Sequence, residues 1–159
     1  MSVDKTISLF QIRKEISECD QDTRNYGWIF SEINESAQQF SVEMSSLIDN
    51  EKYIIDIIFD NYREIPLLLE FVHPETKENG IKSAYPKAKD SFFHDYPCIC
   101  NPCSRKSYQQ YNRTAPHGDW KFTGWETNPQ IGSLKNLRAI LQAIYFRINN
   151  PQHYVGRMV

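Results

Sequence analysis

The chain has 159 residues, the size of one domain with one core, and 18 basic against 20 acidic side chains leave a net charge of −2 spread along its length. That balance argues against a nucleic-acid binder led by phosphate contacts, and the longest apolar runs, such as Tyr53 to Phe59 with Asp56 inside it, are too short to cross a bilayer. Met1-Ser2-Val3-Asp4-Lys5 lacks the basic-then-apolar order of a signal peptide, so a cytoplasmic protein with reduced thiols and no nucleic-acid or membrane partner is expected.

Leu9, Ile12, Ile16 and Cys19 recur at helical spacing among charged residues, which predicts an amphipathic helix from about 5 to 19 with Asp4 or Thr6 as its cap and Cys19 in the core. Trp28 to Ile33, rich in aromatic and β-branched residues, reads as a strand. Phe40, Val42 and Met44 alternate with polar residues and give a second strand. Tyr53, Ile55, Ile57 and Phe59 alternate in the same way and give a third. Leu67 to Val72, after the break at Pro66, gives a fourth. The connections Asn34-Glu35-Ser36 and Asp49-Asn50-Glu51 are short and polar, as antiparallel hairpins require, so the strands form a meander.

From His73 to about Thr127 the pattern is irregular and carries prolines at 74, 86, 97, 102 and 116; a loop of that length inside a compact domain is usually functional. A helix is expected to start at Gly132-Ser133, carry the stripe Leu134, Leu137, Leu141, Ile144 and Ile148, and end at Asn149-Asn150-Pro151. The expected architecture is a single α+β domain over residues 1–159: a helix, a four-stranded antiparallel meander, a long loop and insert at about 73–127, then a helix, with both helices on one face of the sheet.

That loop holds Cys98, Cys100 and Cys103 within six residues, with His94 before them and His117 after. Three chemistries use such a cluster. A nucleophilic site needs one accessible thiol, and Cys100 leads as candidate, followed by the more exposed-looking Cys103 and then Cys98. A zinc site could draw on the three cysteines with His94 or His117, but no second Cys-x-x-Cys exists to complete the usual paired spacing. A redox Cys-x-x-Cys needs a βαβ setting that the chain lacks. Neither a metal nor another cofactor is therefore expected. His73 and His94 read as structural, and Trp120 and Trp125 as loop anchors.

The order of elements resembles the ubiquitin-conjugating enzyme (UBC) fold. Phe59-Asp60-Asn61-Tyr62-Arg63-Glu64-Ile65-Pro66 is similar to the family's passage into its fourth strand. Ala139 to Ile144, running on to Asn149-Asn150-Pro151, is similar to the helix after its active site, and Ile99-Cys100 to its catalytic pair. No His-Pro-Asn triplet precedes the cysteines, and the insert between Cys103 and Trp125 is longer than in common eukaryotic members. Cys100-Asn101-Pro102-Cys103-Ser104-Arg105, with Pro116-His117-Gly118-Asp119-Trp120, is more similar to divergent bacterial relatives that carry a Cys-x-Pro-x-x-Arg pattern.

The resemblance implies an enzyme that carries a ubiquitin-like modifier as a cysteine thioester, receives it from an activating enzyme, and transfers it to an amine of a target not identified by the sequence. It places the nucleophile at Cys100, with Cys103 as second candidate. Asn101 or His117 would then donate to the oxyanion, Asp119 would pair with His117 in a lid over residues 104–124, and Arg105 would lower the thiol pKa or bind the partner. The alternatives are a catalytically inactive UBC-fold interaction module and a small zinc-binding structural protein.

Overall fold

The structure is a computed structural model and describes residues 2–159. Its first helix, α1 (Lys5–Ser17), starts where the Asp4 carboxylate accepts the Thr6 N–H at 2.8 Å. It stops two residues short of the expected end. Cys19 is buried and stands at the start of a second helix, α2 (Asp20–Tyr26), which closes on Gly27 at φ 71°. Of the apolar stripe, Ile12 and Cys19 are fully buried.

Four strands follow: β1 (Ile29–Phe30), β2 (Gln39–Ser45), β3 (Lys52–Ile58) and β4 (Leu68–Val72). They pair in chain order, each antiparallel to the next, as the short polar connections require. The register sets Val42 opposite Ile55 and Phe40 opposite Ile57. Phe40, Val42, Met44, Tyr53, Ile55 and Ile57 thus share the buried face, while Gln39, Ser41, Asp56 and Glu70 lie on the half-exposed one. The first strand is shorter than the apolar run Trp28 to Ile33. Only Ile29 and Phe30 pair in ladder, and Trp28 turns into the core instead.

The last helix, α3 (Leu137–Ile148), begins later than Gly132-Ser133. Asn136 caps it, its side-chain oxygen accepting the Ala139 N–H at 2.9 Å, and Leu134 is buried ahead of the helix. Leu137, Ile140, Leu141, Ile144 and Ile148 are buried in one cluster with Ile12 and the inner face of the sheet. Each such side chain contributes about 1.5–3 kcal/mol of burial. The charged residue at the centre of this packing is Glu15 of α1, 2% exposed. Its carboxylate accepts from Tyr62 Oη (2.8 Å), Arg63 Nη1 (3.0 Å), Gln11 Nε2 (2.7 Å) and the Leu137 N–H (2.8 Å), so α1 is fastened to the first turn of α3.

The irregular stretch is ordered. It contains β5 (Pro86–Ala88), β6 (Phe93–His94) and β7 (Cys98–Ile99), and β5 pairs antiparallel with a strand near the C-terminus, β8 (Tyr154–Arg157). β6 and β7 form a tight hairpin, Phe93 opposite Ile99 and His94 opposite Cys98, which presents the cysteine segment. The α+β architecture thus has three α-helices among the described residues and a four-stranded antiparallel sheet.

Candidate active site

β7 runs straight into the cysteine segment. Cys98 and Ile99 are held in the hairpin and buried; Cys100, one residue past the strand, is half-buried. Its N–H donates to the Phe92 carbonyl at 2.7 Å, and the Asn101 N–H to the Ile99 carbonyl at 3.0 Å. The chain then turns inward. Residues 101–108 are all buried although five of them are Asn, Ser, Arg or Lys.

Each of those polar side chains is accounted for except one. Asn101 uses its oxygen on the Cys103 N–H (2.9 Å) and its amide nitrogen on the carbonyls of Gln130 and Ile131 (3.4 Å each). Arg105 donates to Asp60 Oδ1 (2.8 Å), the Asp60 carbonyl (3.1 Å) and the Pro66 carbonyl (3.0 Å). Lys106 pairs with Glu70 at 2.8 Å, and Ser107 donates to the Ser104 carbonyl at 2.8 Å. Tyr108 Oη donates to the Pro102 carbonyl at 2.6 Å. Only the Ser104 hydroxyl in this run is buried without a partner. Arg105 bolts the segment to the passage between β3 and β4, Lys106 to β4 itself, and Asn101 to the stretch before α3.

The structure brings His117 to Cys100. Nε2 lies 3.1 Å from Sγ. The ring is fixed on its face by Trp120, stacked at 3.5 Å and 6° from parallel, and along its backbone by two bonds. The His117 N–H donates to Ser107 O (3.1 Å) and the Gln109 N–H to His117 O (3.0 Å). Asp119 stands at the ring's other nitrogen, 3.9 Å from Nδ1 and largely exposed. That spacing is too long for a direct hydrogen bond but favours the proton on Nδ1, which leaves a lone pair on Nε2 facing the thiol.

Burial raises the Cys100 thiol above its ordinary 9.0. It lowers His117 below 6.5, Asp119 opposing the shift and His94 adding to it. The resting pair is thiol and neutral imidazole. Cys98 is pushed up to about 12 by burial, and Cys103, wholly enclosed, is pushed up further still.

The candidates read from sequence therefore separate. Cys100, His117 and Asp119 converge. Cys103 is not the exposed thiol its polar neighbours suggest: Ser104 and Arg105 turn inward with it. Asn101 sits beside Cys100, but its amide is spent on two carbonyls. Arg105 is neutralised by Asp60 and takes no part in the shift of Cys100. His94 lies on β6, where Nδ1 accepts the Tyr96 N–H at 2.9 Å, and His73 accepts from the N–H groups of Glu75 and Thr76. Trp125 anchors the loop by donating to the Arg63 carbonyl at 2.9 Å. Trp120 does more than anchor, since it is the face that holds His117, and Tyr108 is a further fastening that nothing in the local sequence announces. Among the described residues, no three His, Cys, Asp or Glu side chains are gathered as a metal-binding set, and no helix is long and apolar enough to cross a membrane. Compared with protein-family models, curated proteins and solved structures, the chain matches none.

Proposed function

We propose that the protein is a ubiquitin-like conjugating enzyme of UBC-like fold, acting in the cytoplasm, that carries an acyl group on Cys100 as a thioester and passes it to an amine. The observation that carries this reading is the 3.1 Å contact between the one cysteine that reaches solvent and a fixed imidazole. The helix–meander–loop–helix order and the Cys100-x-Pro102-x-x-Arg105 pattern support the family.

On loading, His117 Nε2 takes the thiol proton while Sγ attacks the carbonyl carbon of the donor thioester. A new C–S bond forms to Cys100, the donor's C–S bond breaks, and the leaving thiolate takes the proton back from His117. An amine then attacks the Cys100 thioester, a C–N bond forms, and Sγ departs with the proton relayed through His117. The imidazolium, present only while charge develops, is the donor available to the oxyanion, because the amides of Cys100 and Asn101 already have partners. A ubiquitin-like modifier and an activating enzyme are the implied partners.

The raised Cys100 thiol favours a second reading, an inactive relative kept as an interaction module. A Gly-Gly peptide thioester mixed with the protein separates the two by intact mass. A reductant-sensitive adduct that disappears in Cys100→Ala and persists in Cys103→Ala supports the enzyme; no adduct in the wild type supports the module; an adduct persisting in Cys100→Ala rejects the assignment.

A further inference from the structure

We propose that the acyl group on Cys100 is also transferred to hydroxyl groups, of the serine and threonine class, with His117 as the general base. This rests on the thioester reading above. A neutral amine attacks a thioester unaided, whereas an alcohol is too weak an acid to ionise near neutrality and must lose its proton as it attacks. An amine-only site uses a base fixed at the sulfur for the thiol proton on loading, whereas a hydroxyl acceptor also needs it at the attacking oxygen on discharge. This site has one. Once Cys100 is acylated, Sγ carries no proton, and Nε2, 3.1 Å from Sγ, is within reach of a hydroxyl that attacks the carbonyl carbon bonded to that sulfur.

The groups that face His117 are Cys100 after β7, His94 on β6, and Asp119 and Trp120 on its own segment. Asp119 stands at Nδ1, so it biases the tautomer rather than meeting the acceptor. No carboxylate contacts the Cys100 sulfur, among the described residues, to receive a lysine ammonium. In the transfer, the hydroxyl oxygen bonds to the acyl carbon and its proton goes to Nε2. The C–S bond then breaks and Sγ recovers that proton, leaving an ester and a free thiol.

The test loads the intact protein with a Gly-Gly peptide thioester and offers N-acetyl-threonine amide, N-acetyl-serine amide or N-acetyl-lysine amide. Discharge is followed by mass spectrometry, and esters are identified by alkali lability. Transfer to hydroxyls is expected to be roughly 10²–10⁴-fold slower in His117→Gln. In the wild type it should rise with pH as His117, lowered by burial, loses its proton and level off once the imidazole is neutral, while lysine transfer should keep rising toward the amine's own pKa. Added imidazole should restore hydroxyl transfer in His117→Gly. Hydroxyl transfer no faster than from the free peptide thioester, or equal in wild type and His117→Gln, overturns the proposal. Discharge to lysine alone overturns it while leaving the conjugating reading intact. Failure to load Cys100 at all overturns both.

Discussion

The protonation state of the Cys100–His117 pair can be worked from the structure and tested directly. The ordinary values of 9.0 for the thiol and 6.5 for the imidazole make the neutral pair about 3.4 kcal/mol more stable than thiolate–imidazolium, at about 1.4 kcal/mol for each pH unit between them. Burial moves the two values apart, and Arg105, the cation nearest in sequence, is held on Asp60. Fewer than about one site in 300 then carries the ion pair at rest. Alkylation of Cys100 by iodoacetamide, followed by intact mass from about pH 5 to 10.5, is expected to climb steadily, with its midpoint above 9. A plateau between about pH 5 and 8 is the signature of a thiolate held by imidazolium. It would refute the reasoning, because Coulomb attraction at 3.1 Å would then have outweighed both burial effects.

Three further outcomes follow from the same geometry. Arg105→Met should destabilise the protein by about 3 kcal/mol in denaturant unfolding, since it leaves two backbone carbonyls unpaired and Asp60 without its cation, yet should not displace the Cys100 alkylation profile. Glu15→Ala should cost about 3–5 kcal/mol, because it strips the Leu137 N–H, Tyr62 and Arg63 of their shared acceptor; a loss below about 1 kcal/mol would mean that α1 and α3 are joined by apolar packing alone. Cys19, Cys98 and Tyr53 are each raised to about 12 by burial, so the folded state holds protons that the unfolded chain releases; stability should be full below about pH 9 and fall as pH rises through 12, seen as a falling Tm that Cys19→Ala with Cys98→Ala makes less steep.

The meander was legible because β2 and β3 alternate strictly, Phe40-Val42-Met44 against Tyr53-Ile55-Ile57, and period two has one structural reading. α2 was not, because Asp20 to Tyr26 has no apolar stripe. That helix is held from outside, by Asp22 accepting from Arg138 (2.7 Å) and Gln142 (3.0 Å) on α3, partners more than a hundred residues away. β5 and β8, three and four residues long, are too short to show alternation.

At the site, the cysteine cluster and the His117-Gly118-Asp119-Trp120 segment stood out by residue type. The burial of Ser104, Arg105, Lys106 and Ser107 did not, because composition reads such a run as solvated. Here Asp60, Pro66 and Glu70 supply what water would have for Arg105 and Lys106, and nearby carbonyls do so for Ser107. That inward turn decides which cysteine is left at the surface.

The parallel bridge between Tyr108 and His117 has an engineering consequence. It closes a small lobe, Gln109 to Pro116, whose residues from 109 to 114 are exposed. The imidazole is positioned from the base of that lobe and from Trp120, while the bonds farther out, Asn112 Oδ1 accepting from Thr114 and Gln110 Oε1 from the Phe122 N–H, do not touch it. Loop-closure entropy grows only slowly with length. The junction of Asn112 and Arg113 is therefore a place to graft a peptide, a fluorophore handle or a recognition sequence about a dozen residues long, in the lobe that His117 closes yet apart from the contacts that hold its ring.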